Sequence, residues 1–264
     1  MIDRSRVTAA LRAAGSVWAE DEAALLLAQA RSETELEALL ARRVAGEPLE
    51  TVLGWVAFRD RHLAVAPGVF VPRRRTELLA RTALSRTQPH HVVVEMCCGV
   101  APVAAVLEDS GAEVHAADLD ELALVCAARN APGVRLHCGD LFAALPPDLA
   151  GRVDVLVANA PYVPTDQISA MPPEARDHEP HLALDGGAAG VDVHRRLARG
   201  APRWLAPEGV LLVETSRDQL PLTLEAMSDA GFVTSEVVDE EVGGCVAIGV
   251  SARARAAARA AGPA

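Results

Sequence analysis

The sequence predicts an α/β protein in which a doubly wound, mostly parallel sheet follows a small helical region. From His91 onwards, strand-like segments that are apolar almost throughout alternate with helical segments, as in a parallel sheet covered by helices on both faces. Seven strands are expected, at 91–96, 112–118, 134–138, 153–159, 209–215, 232–238 and 245–250. Helices are expected between them, at 102–110, 120–130, 192–204 and 218–230. No helix separates the last two strands, so we expect them to form an antiparallel pair at one edge of the sheet.

The chain divides into four parts. Residues 1–54 have apolar side chains at helical spacing, and Ser32 with Glu35 forms a capping-box pattern, which predicts a helical domain. Residues 55–75 contain two short strand-like segments around a polar turn and predict a hairpin linker. The α/β domain then occupies 76–251. Residues 252–264 are rich in alanine and arginine, which predicts a flexible tail.

Composition excludes several function classes. The net charge of -11 argues against nucleic acid as the main partner. All 25 basic residues are arginine, which excludes a P-loop lysine and a Schiff-base lysine. The five cysteines have no CxxC spacing, so we expect reduced thiols and no zinc site. "HEPH" at 178–181 is interpreted as a surface loop rather than a metal site, because Pro180 prevents the helix that would align two ligands.

The N-terminal sequence also bears on location. Charged residues interrupt the region where a signal peptide would be apolar, and no uncharged apolar run approaches the length of a membrane span. We therefore expect a cytoplasmic protein with no membrane partner.

The carboxyl ends of the predicted strands carry the candidate cofactor residues, because ligands of doubly wound sheets bind there. The first strand leads into a loop of mostly small residues that precedes a helix: Glu95, Cys97, Cys98, Gly99, Val100 and Ala101. Small residues allow a ligand to approach the backbone, and the helix N-terminus carries partial positive charge. Only Gly99 is glycine in this loop, and the absent GxGxxG pattern counts against a dinucleotide.

Acidic residues follow the next two strands. Asp118 is placed to accept hydrogen bonds from ribose hydroxyls, since Asp120 is the better cap for the following helix. Asp140 is a candidate acceptor for an adenine amino group, with capping of the following turn as the alternative, and Leu141 a candidate to pack on the ring. This set fits a nucleoside with a weak phosphate site and favours S-adenosylmethionine.

The fourth strand runs into "VANAPYVP" at 157–164. The tetrapeptide after the strand consists of Asn159, Ala160, Pro161 and Tyr162. It offers a side-chain amide, a backbone carbonyl before a proline, and the only tyrosine of the chain. These groups predict a surface for a planar polar substrate.

A succession of motifs resembles the HemK-type protein-(glutamine N5) methyltransferases, which are class I S-adenosylmethionine-dependent methyltransferases. "GEPLETVLGWVAFRDRHLAVAPGVFVPRRRTELL" resembles the family linker GxPLxYxxG…PGVxIPRPETE. "VVVEMCCGVAP", "GDLF" and "NAPYVP" stand at the DLGTGSG loop, the adenine loop and the NPPY motif. "HEPHLALDGGAAGVDVHRRL" resembles EPxxALxGGxxGLDxxR.

The resemblance implies a Rossmann-like, seven-stranded methyltransferase domain and an N-terminal domain that docks a protein substrate. The substrate implied is a glutamine side chain, as in the GGQ loop of a peptide-release factor. Asn159 and the Ala160 carbonyl would then accept its two N–H bonds, and Tyr162 would pack on the amide plane. The cofactor loop 97–101, Asp118, Asp140, Leu141 and Asn159 would surround S-adenosylmethionine.

The sequence departs from the family pattern at several positions, and alternatives follow from this. Cys97 and Ala101 replace glycines, Ala160 replaces the first proline of NPPY, and Arg74 and Arg75 replace the proline and acid of PRPETE. The arginines at 73–75 form either a solvated turn or a contact for an acidic partner. A non-catalytic S-adenosylmethionine-binding regulator and a nucleic-acid amine methyltransferase are the alternative functions.

Overall fold

The computed structural model describes residues 3–251, and the predicted tail at 252–264 lies outside the described residues. The helices are α1 (Arg4–Ala13), α2 (Ala19–Gln29), α3 (Glu33–Val44), α4 (Leu49–Leu53), α5 (Thr76–Arg86), α6 (Pro102–Leu107), α7 (Glu121–Asn130), α8 (Pro173–His178), α9 (His181–Leu184), α10 (Asp192–Trp204) and α11 (Leu220–Asp229). The strands are β1 (Trp55–Phe58), β2 (Arg61–Ala64), β3 (Val92–Met96), β4 (Glu113–Asp118), β5 (Arg135–Cys138), β6 (Val153–Ala158), β7 (Leu205–Glu214), β8 (Phe232–Asp239) and β9 (Gly244–Ser251).

The predicted fold class is confirmed. The main sheet has seven strands in the order β5-β4-β3-β6-β7-β9-β8. The first five are parallel, and β9 pairs antiparallel with both β7 and β8, as the missing helix between the last two strands predicted. The strand order reverses between β3 and β6, which brings the loop after β3 beside the tetrapeptide that follows β6.

Both faces of the sheet are buried because successive strand residues point to opposite sides. Val93, Val155 and Leu212 belong to one apolar cluster. Their neighbours Val94, Leu156 and Leu211 belong to another. This explains why the strands are apolar almost throughout.

One strand begins earlier than the sequence predicted. We expected a strand from 209, whereas β7 begins at Leu205. Its first residue pairs with Val153, and the register shifts before the next pair, Val155 with Val210. The irregularity allows β7 to include Pro207 without breaking the central ladder.

Helices α1–α4 enclose their own apolar cluster, which includes Leu11, Leu26 and Leu36. Half of the expected capping box is present: the Ser32 hydroxyl accepts a hydrogen bond from the Glu35 amide at 3.1 Å, whereas the Glu35 carboxylate accepts from the amide of Arg31 rather than of Ser32. The strands β1 and β2 then form an antiparallel hairpin.

Arg43 of α3 connects this helical part to the sheet domain. Its guanidinium donates to Glu22 at 2.8 and 2.9 Å and to Glu174 of α8 at 2.7 Å. Between residues 3 and 251, no helix combines the length and the apolar character needed to cross a membrane.

Candidate functional site

A cavity of about 620 Å³ opens at the carboxyl ends of β3, β4 and β6. It is lined by all the predicted site residues except Ala101, namely Glu95, Cys97, Cys98, Gly99, Val100, Asp118, Asp140, Leu141, Asn159, Ala160, Pro161 and Tyr162. Ala101 is fully buried beneath the loop. Residues spread over almost 70 positions therefore meet in one site, as the parallel sheet requires.

The loop after β3 has a left-handed backbone at alternate residues. The φ angles of Cys97, Gly99 and Ala101 are +53°, +53° and +60°. For a residue with a Cβ atom this conformation costs about 1–2 kcal/mol, which explains why the family pattern has glycine at the first and last of these positions. The Cys98 amide donates to the Ala117 carbonyl at 3.0 Å and the Ala101 amide to the Cys98 carbonyl at 2.8 Å, so flanking hydrogen bonds hold the conformation.

Glu95 supports this loop from below. Its carboxylate accepts hydrogen bonds from the amides of Val103 and Ala104 at 3.3 and 2.6 Å. These amides lie in the first turn of α6, where backbone N–H groups lack helical partners. Burial nevertheless raises the pKa of Glu95 to about 8, with the two amides opposing the shift. The side chain thus lines the cavity while fixing the start of α6.

The two adjacent thiols are not activated nucleophiles. Burial raises the pKa of Cys97 and of Cys98 above the ordinary thiol value, and the neighbouring carboxylates add to the shift. Neutral thiols of this kind serve as small, weakly polar lining.

Asp118 connects the loop to the end of β4. One carboxylate oxygen accepts from the Gly99 amide at 2.7 Å and the other from the Asp120 amide at 2.8 Å. Burial raises the pKa of Asp118, and the backbone donors oppose the shift. Asp120 caps α7 through the Leu122 amide at 2.8 Å, as expected. Each carboxylate oxygen has a second lone pair, so Asp118 retains acceptor capacity towards the cavity.

The residues after β5 form the next section of the wall. Leu141 has a φ of +48° and is buried, so its side chain turns inward. The Asp140 carboxylate does not bond to the amides of the following turn, which was the alternative role. It pairs instead with Arg196 of α10 at 2.6 Å, a partner that the sequence did not suggest.

The tetrapeptide after β6 is fixed from two sides. On one side the Asn159 side-chain nitrogen donates to the Thr76 hydroxyl at 3.3 Å. On the other side Gln219 donates to the Tyr162 carbonyl. A Cβ atom on Gly186 would lie 2.7 Å from the Tyr162 Cα atom, so glycine at 186 allows the "DGG" segment to pack directly behind the motif.

Two of the three arginines at 73–75 form ion pairs within the molecule. Arg73 pairs with Glu179 at 2.6 Å and Arg75 with Glu214 at 3.2 Å, and both acids are internal. The Arg75 guanidinium also lies 5.6 Å from the centre of the Tyr162 ring. Only Arg74 is fully exposed. Arg73 therefore neutralises a buried carboxylate in the wall of the cavity, and Arg75 neutralises the buried carboxylate of Glu214.

The surface-loop interpretation of 178–181 is wrong at Glu179. This side chain is buried, and it also accepts a hydrogen bond from the Val71 amide at 3.2 Å. Within residues 3–251, no group of three or more histidine, cysteine, aspartate or glutamate side chains is arranged to hold a metal ion.

Sequence reasoning missed four residues of the site: Thr76, Glu179, Arg196 and Glu214. Glu214 could have been found, because it ends an apolar strand in the same way as Asp118 does. Thr76 and Glu179 lie within motifs that resemble those of the family, and Arg196 matches none; the contacts that give the three their roles are to partners distant in sequence.

The arrangement fits S-adenosylmethionine. Asp118 can accept hydrogen bonds from ribose hydroxyls, and the loop of small residues lines the cavity beside it. The tetrapeptide forms the adjacent wall, where Asn159 and Tyr162 can contact a second molecule.

Comparisons with known proteins agree with this geometry, although no protein-family model matches the chain. A release factor glutamine methyltransferase of Streptomyces coelicolor is 43% identical over 69% of this chain and 67% of its own length. That of Geobacter sulfurreducens is 36% identical over 74% of this chain and 69% of its own length. A 4-amino-L-phenylalanine/4-methylamino-L-phenylalanine methyltransferase of Streptomyces pristinaespiralis is 38% identical over 68% of this chain and 64% of its own length.

Solved structures show the same fold at low identity. A methyltransferase from Pyrococcus furiosus matches with a TM-score of 0.57 at 18% identity, covering 81% of this chain and 98% of that one. Together with the sequence relatives, this confirms the resemblance drawn from the motifs, and the chain belongs to the HemK-type release factor glutamine methyltransferase family.

Proposed function

We propose that the protein transfers a methyl group from S-adenosylmethionine to the side-chain nitrogen of a glutamine in a protein, and that this protein is a peptide-release factor. The observation that carries the proposal is the orientation of Asn159. Its nitrogen is held by Thr76, which leaves its oxygen available as an acceptor at the cavity wall beside the Ala160 carbonyl.

The cofactor would occupy the part of the cavity between the β3 loop and the turn after β5. Residues 97–101 would surround its methionine part, Asp118 would accept from the ribose, and Asp140 with Leu141 would contact the adenine. Bound S-adenosylmethionine supplies a methyl group on a positively charged sulfur. Burial raises the pKa of Glu95 and of Asp118, and a cationic ligand at this place would favour their ionised forms.

The acceptor would lie against the tetrapeptide. An amide nitrogen is a poor nucleophile because its lone pair is delocalised into the carbonyl. When Asn159 and the Ala160 carbonyl accept its two N–H bonds, they orient the lone pair and favour the positive charge that develops on nitrogen. Positioning of this kind contributes ~7–11 kcal/mol, and one preorganised contact ~3–4 kcal/mol. The C–N bond forms as the C–S bond breaks, and the nitrogen then releases one proton.

No basic side chain is needed for that proton, which suits the local chemistry. Burial raises the pKa of the Tyr162 hydroxyl and keeps it neutral. Burial lowers the pKa of His194 behind the motif to about 4. Tyr162 therefore serves as a wall that packs on the amide plane.

We further propose that the helical part, residues 3–54, docks the protein substrate and that the hairpin β1–β2 links it to the catalytic domain. The contact of Arg43 with Glu174 supports this, because Glu174 also lines the cavity. A substrate bound to the helices would thus lie close to the acceptor wall. We place the reaction in the cytoplasm, where release factors act.

The test is incubation of the protein with S-adenosylmethionine and a release factor, followed by mass spectrometry of its glutamines. We expect the mass of one added methyl group on a single glutamine. Asn159→Ala and Asn159→Asp should each lower the rate at least ~100-fold while cofactor binding persists. Near-normal turnover in either variant would remove the role assigned to Asn159.

A second candidate acceptor is an amino acid with an arylamine group, because the relative from Streptomyces pristinaespiralis is named a 4-amino-L-phenylalanine/4-methylamino-L-phenylalanine methyltransferase. Arg75 lies against Tyr162 and could bind the carboxylate of such a substrate. The same assay with 4-amino-L-phenylalanine separates the two acceptors. Cofactor binding without transfer to either would instead support the regulatory alternative, and transfer to nucleic acid would support the amine alternative that the net charge of -11 disfavours.

A further inference from the structure

Asn159 is the end of a buried polar chain that begins on the far side of the motif. Its side-chain nitrogen donates to the hydroxyl of Thr76 at 3.3 Å. Thr76 is the first residue of α5 and is fully buried. Because the hydroxyl oxygen accepts this bond, the single hydrogen of the hydroxyl is available for another partner.

The candidate partner is Glu214, the last residue of β7. Its side chain is 0% exposed, and one of its oxygens accepts from the Arg75 guanidinium at 3.2 Å. The other oxygen is buried and has no donor at hydrogen-bond geometry among residues 3–251. Burial raises the pKa of Glu214, and the charge of Arg75 and the Thr76 hydroxyl oppose this shift. An orphan acceptor thus lies next to a hydroxyl that has a hydrogen to donate.

The direction of this chain matters because an asparagine side chain has two edges of nearly the same shape. One edge donates hydrogen bonds and the other accepts them. If the Asn159 side-chain amide were rotated by 180°, its NH2 group would face the N–H bonds of the substrate amide. Two donors would then face each other without an acceptor. The pairing with Arg75 favours the ionised form of Glu214, and in that form the carboxylate at the far end can only accept, so it fixes the direction of each bond between it and Asn159.

We propose that Thr76 and Glu214 are positioning residues that hold the Asn159 amide with its oxygen, rather than its nitrogen, towards the acceptor. This inference rests on the proposed function for the identity of the acceptor. Thr76 is 0% exposed and bonds to the Asn159 side chain, so it would act through Asn159.

Two variants of Thr76 separate positioning from packing. Thr76→Val keeps the shape and removes the hydroxyl, whereas Thr76→Ser keeps the hydroxyl and removes a methyl group. We expect Thr76→Val to lower the rate constant of methyl transfer about 10- to 100-fold, the effect of one misplaced hydrogen bond. The dissociation constant for S-adenosylmethionine should stay within about twofold of the wild type. Thr76→Ser should remain close to the wild type in both.

A double-variant comparison tests whether Thr76 acts through Asn159. In an Asn159→Ala background, Thr76→Val should cause no further loss of rate. The proposal is overturned if Thr76→Val is as active as the wild type, if the serine and valine variants are equally impaired, or if valine lowers the rate equally in both backgrounds.

A second measurement does not depend on activity. The side-chain NH2 resonances of Asn159 are assigned by their loss in Asn159→Ala, and their exchange with solvent is then followed by NMR. We expect faster exchange in Thr76→Val than in the wild type and in Thr76→Ser. Unchanged exchange in Thr76→Val overturns the inference. If exchange is faster in Thr76→Val as expected but the protein methylates no glutamine, the positioning role stands and only the proposed function is rejected.

Discussion

Replacement of Glu95 by glutamine should change how the stability of the protein depends on pH. The carboxyl of Glu95 is 3% exposed, and burial raises its pKa from the ordinary 4.5 to about 8. Between these two values the folded protein binds a proton at Glu95 that the unfolded chain does not bind. Stability from this group is therefore greatest at low pH and falls as the pH rises.

The size of the effect follows from the shift. Over the window in which only the folded state is protonated, the free energy of unfolding falls by about 1.4 kcal/mol per pH unit. Between about pH 5 and pH 8 this amounts to about 4 kcal/mol. Glutamine has no proton to lose, and near pH 5 it resembles the neutral carboxyl in size and polarity. We expect the wild type and Glu95→Gln to be about equally stable at pH 5 and the wild type to be the less stable at pH 8.

The measurement is urea unfolding of both proteins at several pH values, and the quantity of interest is the difference between them. The other buried acids titrate in both proteins, so their contributions largely cancel in that difference. A cationic ligand in the cavity favours the ionised carboxyl, so saturating S-adenosylmethionine should flatten the dependence for the wild type. A difference that stays constant between pH 5 and pH 8 would refute the assignment of a raised pKa to Glu95.

Two further predictions concern packing and the link between the two parts of the chain. In Gly186→Ala the new methyl group would lie 2.7 Å from the Tyr162 Cα atom. We expect the free energy of unfolding in urea to fall by about 1–3 kcal/mol and the rate of methyl transfer to fall more than the affinity for the cofactor. An unchanged transfer rate would contradict this prediction. Arg43→Met should destabilise the protein by about 3 kcal/mol, because it leaves the carboxylate of Glu22, whose side chain is 9% exposed, without its partner. The control is Arg42→Met, whose more exposed pair should contribute at most about 1 kcal/mol; equal losses in the two variants would show that Arg43 has no special role.

The sequence was sufficient for the features that depend on local order along the chain. Asp118 and Asn159 were expected at one site because parallel strands end at the same edge of a sheet, and both line the cavity. Asp120 was separated from Asp118 as the helix cap by its position alone, and the hydrogen bond to Leu122 agrees.

The features that depend on partners distant in sequence could not be predicted from the sequence. Glu179 stands beside a proline in a polar stretch, and nothing local shows that it is buried. It becomes internal because Arg73, which is 106 positions away in sequence, neutralises it. Arg75 and Glu214 are 139 positions apart and compensate each other in the same way. Of the two arginines that replace the proline and acid of the family linker, Arg75 thus pairs with an internal acid, whereas Arg74 is exposed.

The loop after β3 shows why residue identity and backbone geometry have to be judged separately. Cys97 and Ala101 adopt the left-handed conformation that explains the glycines of the family pattern, at a cost of about 1–2 kcal/mol each. The amides of Cys98, Gly99 and Ala101 each donate a hydrogen bond, and the Glu95 carboxylate accepts two more from α6. At about 1 kcal/mol for each bond, the hydrogen bonds donated by the three loop amides are comparable in size to the strain, whereas the two Glu95 bonds are opposed by the cost of burying its charge. The glycines of the family motif are therefore one way to obtain this backbone, and a network of hydrogen bonds around small side chains is another.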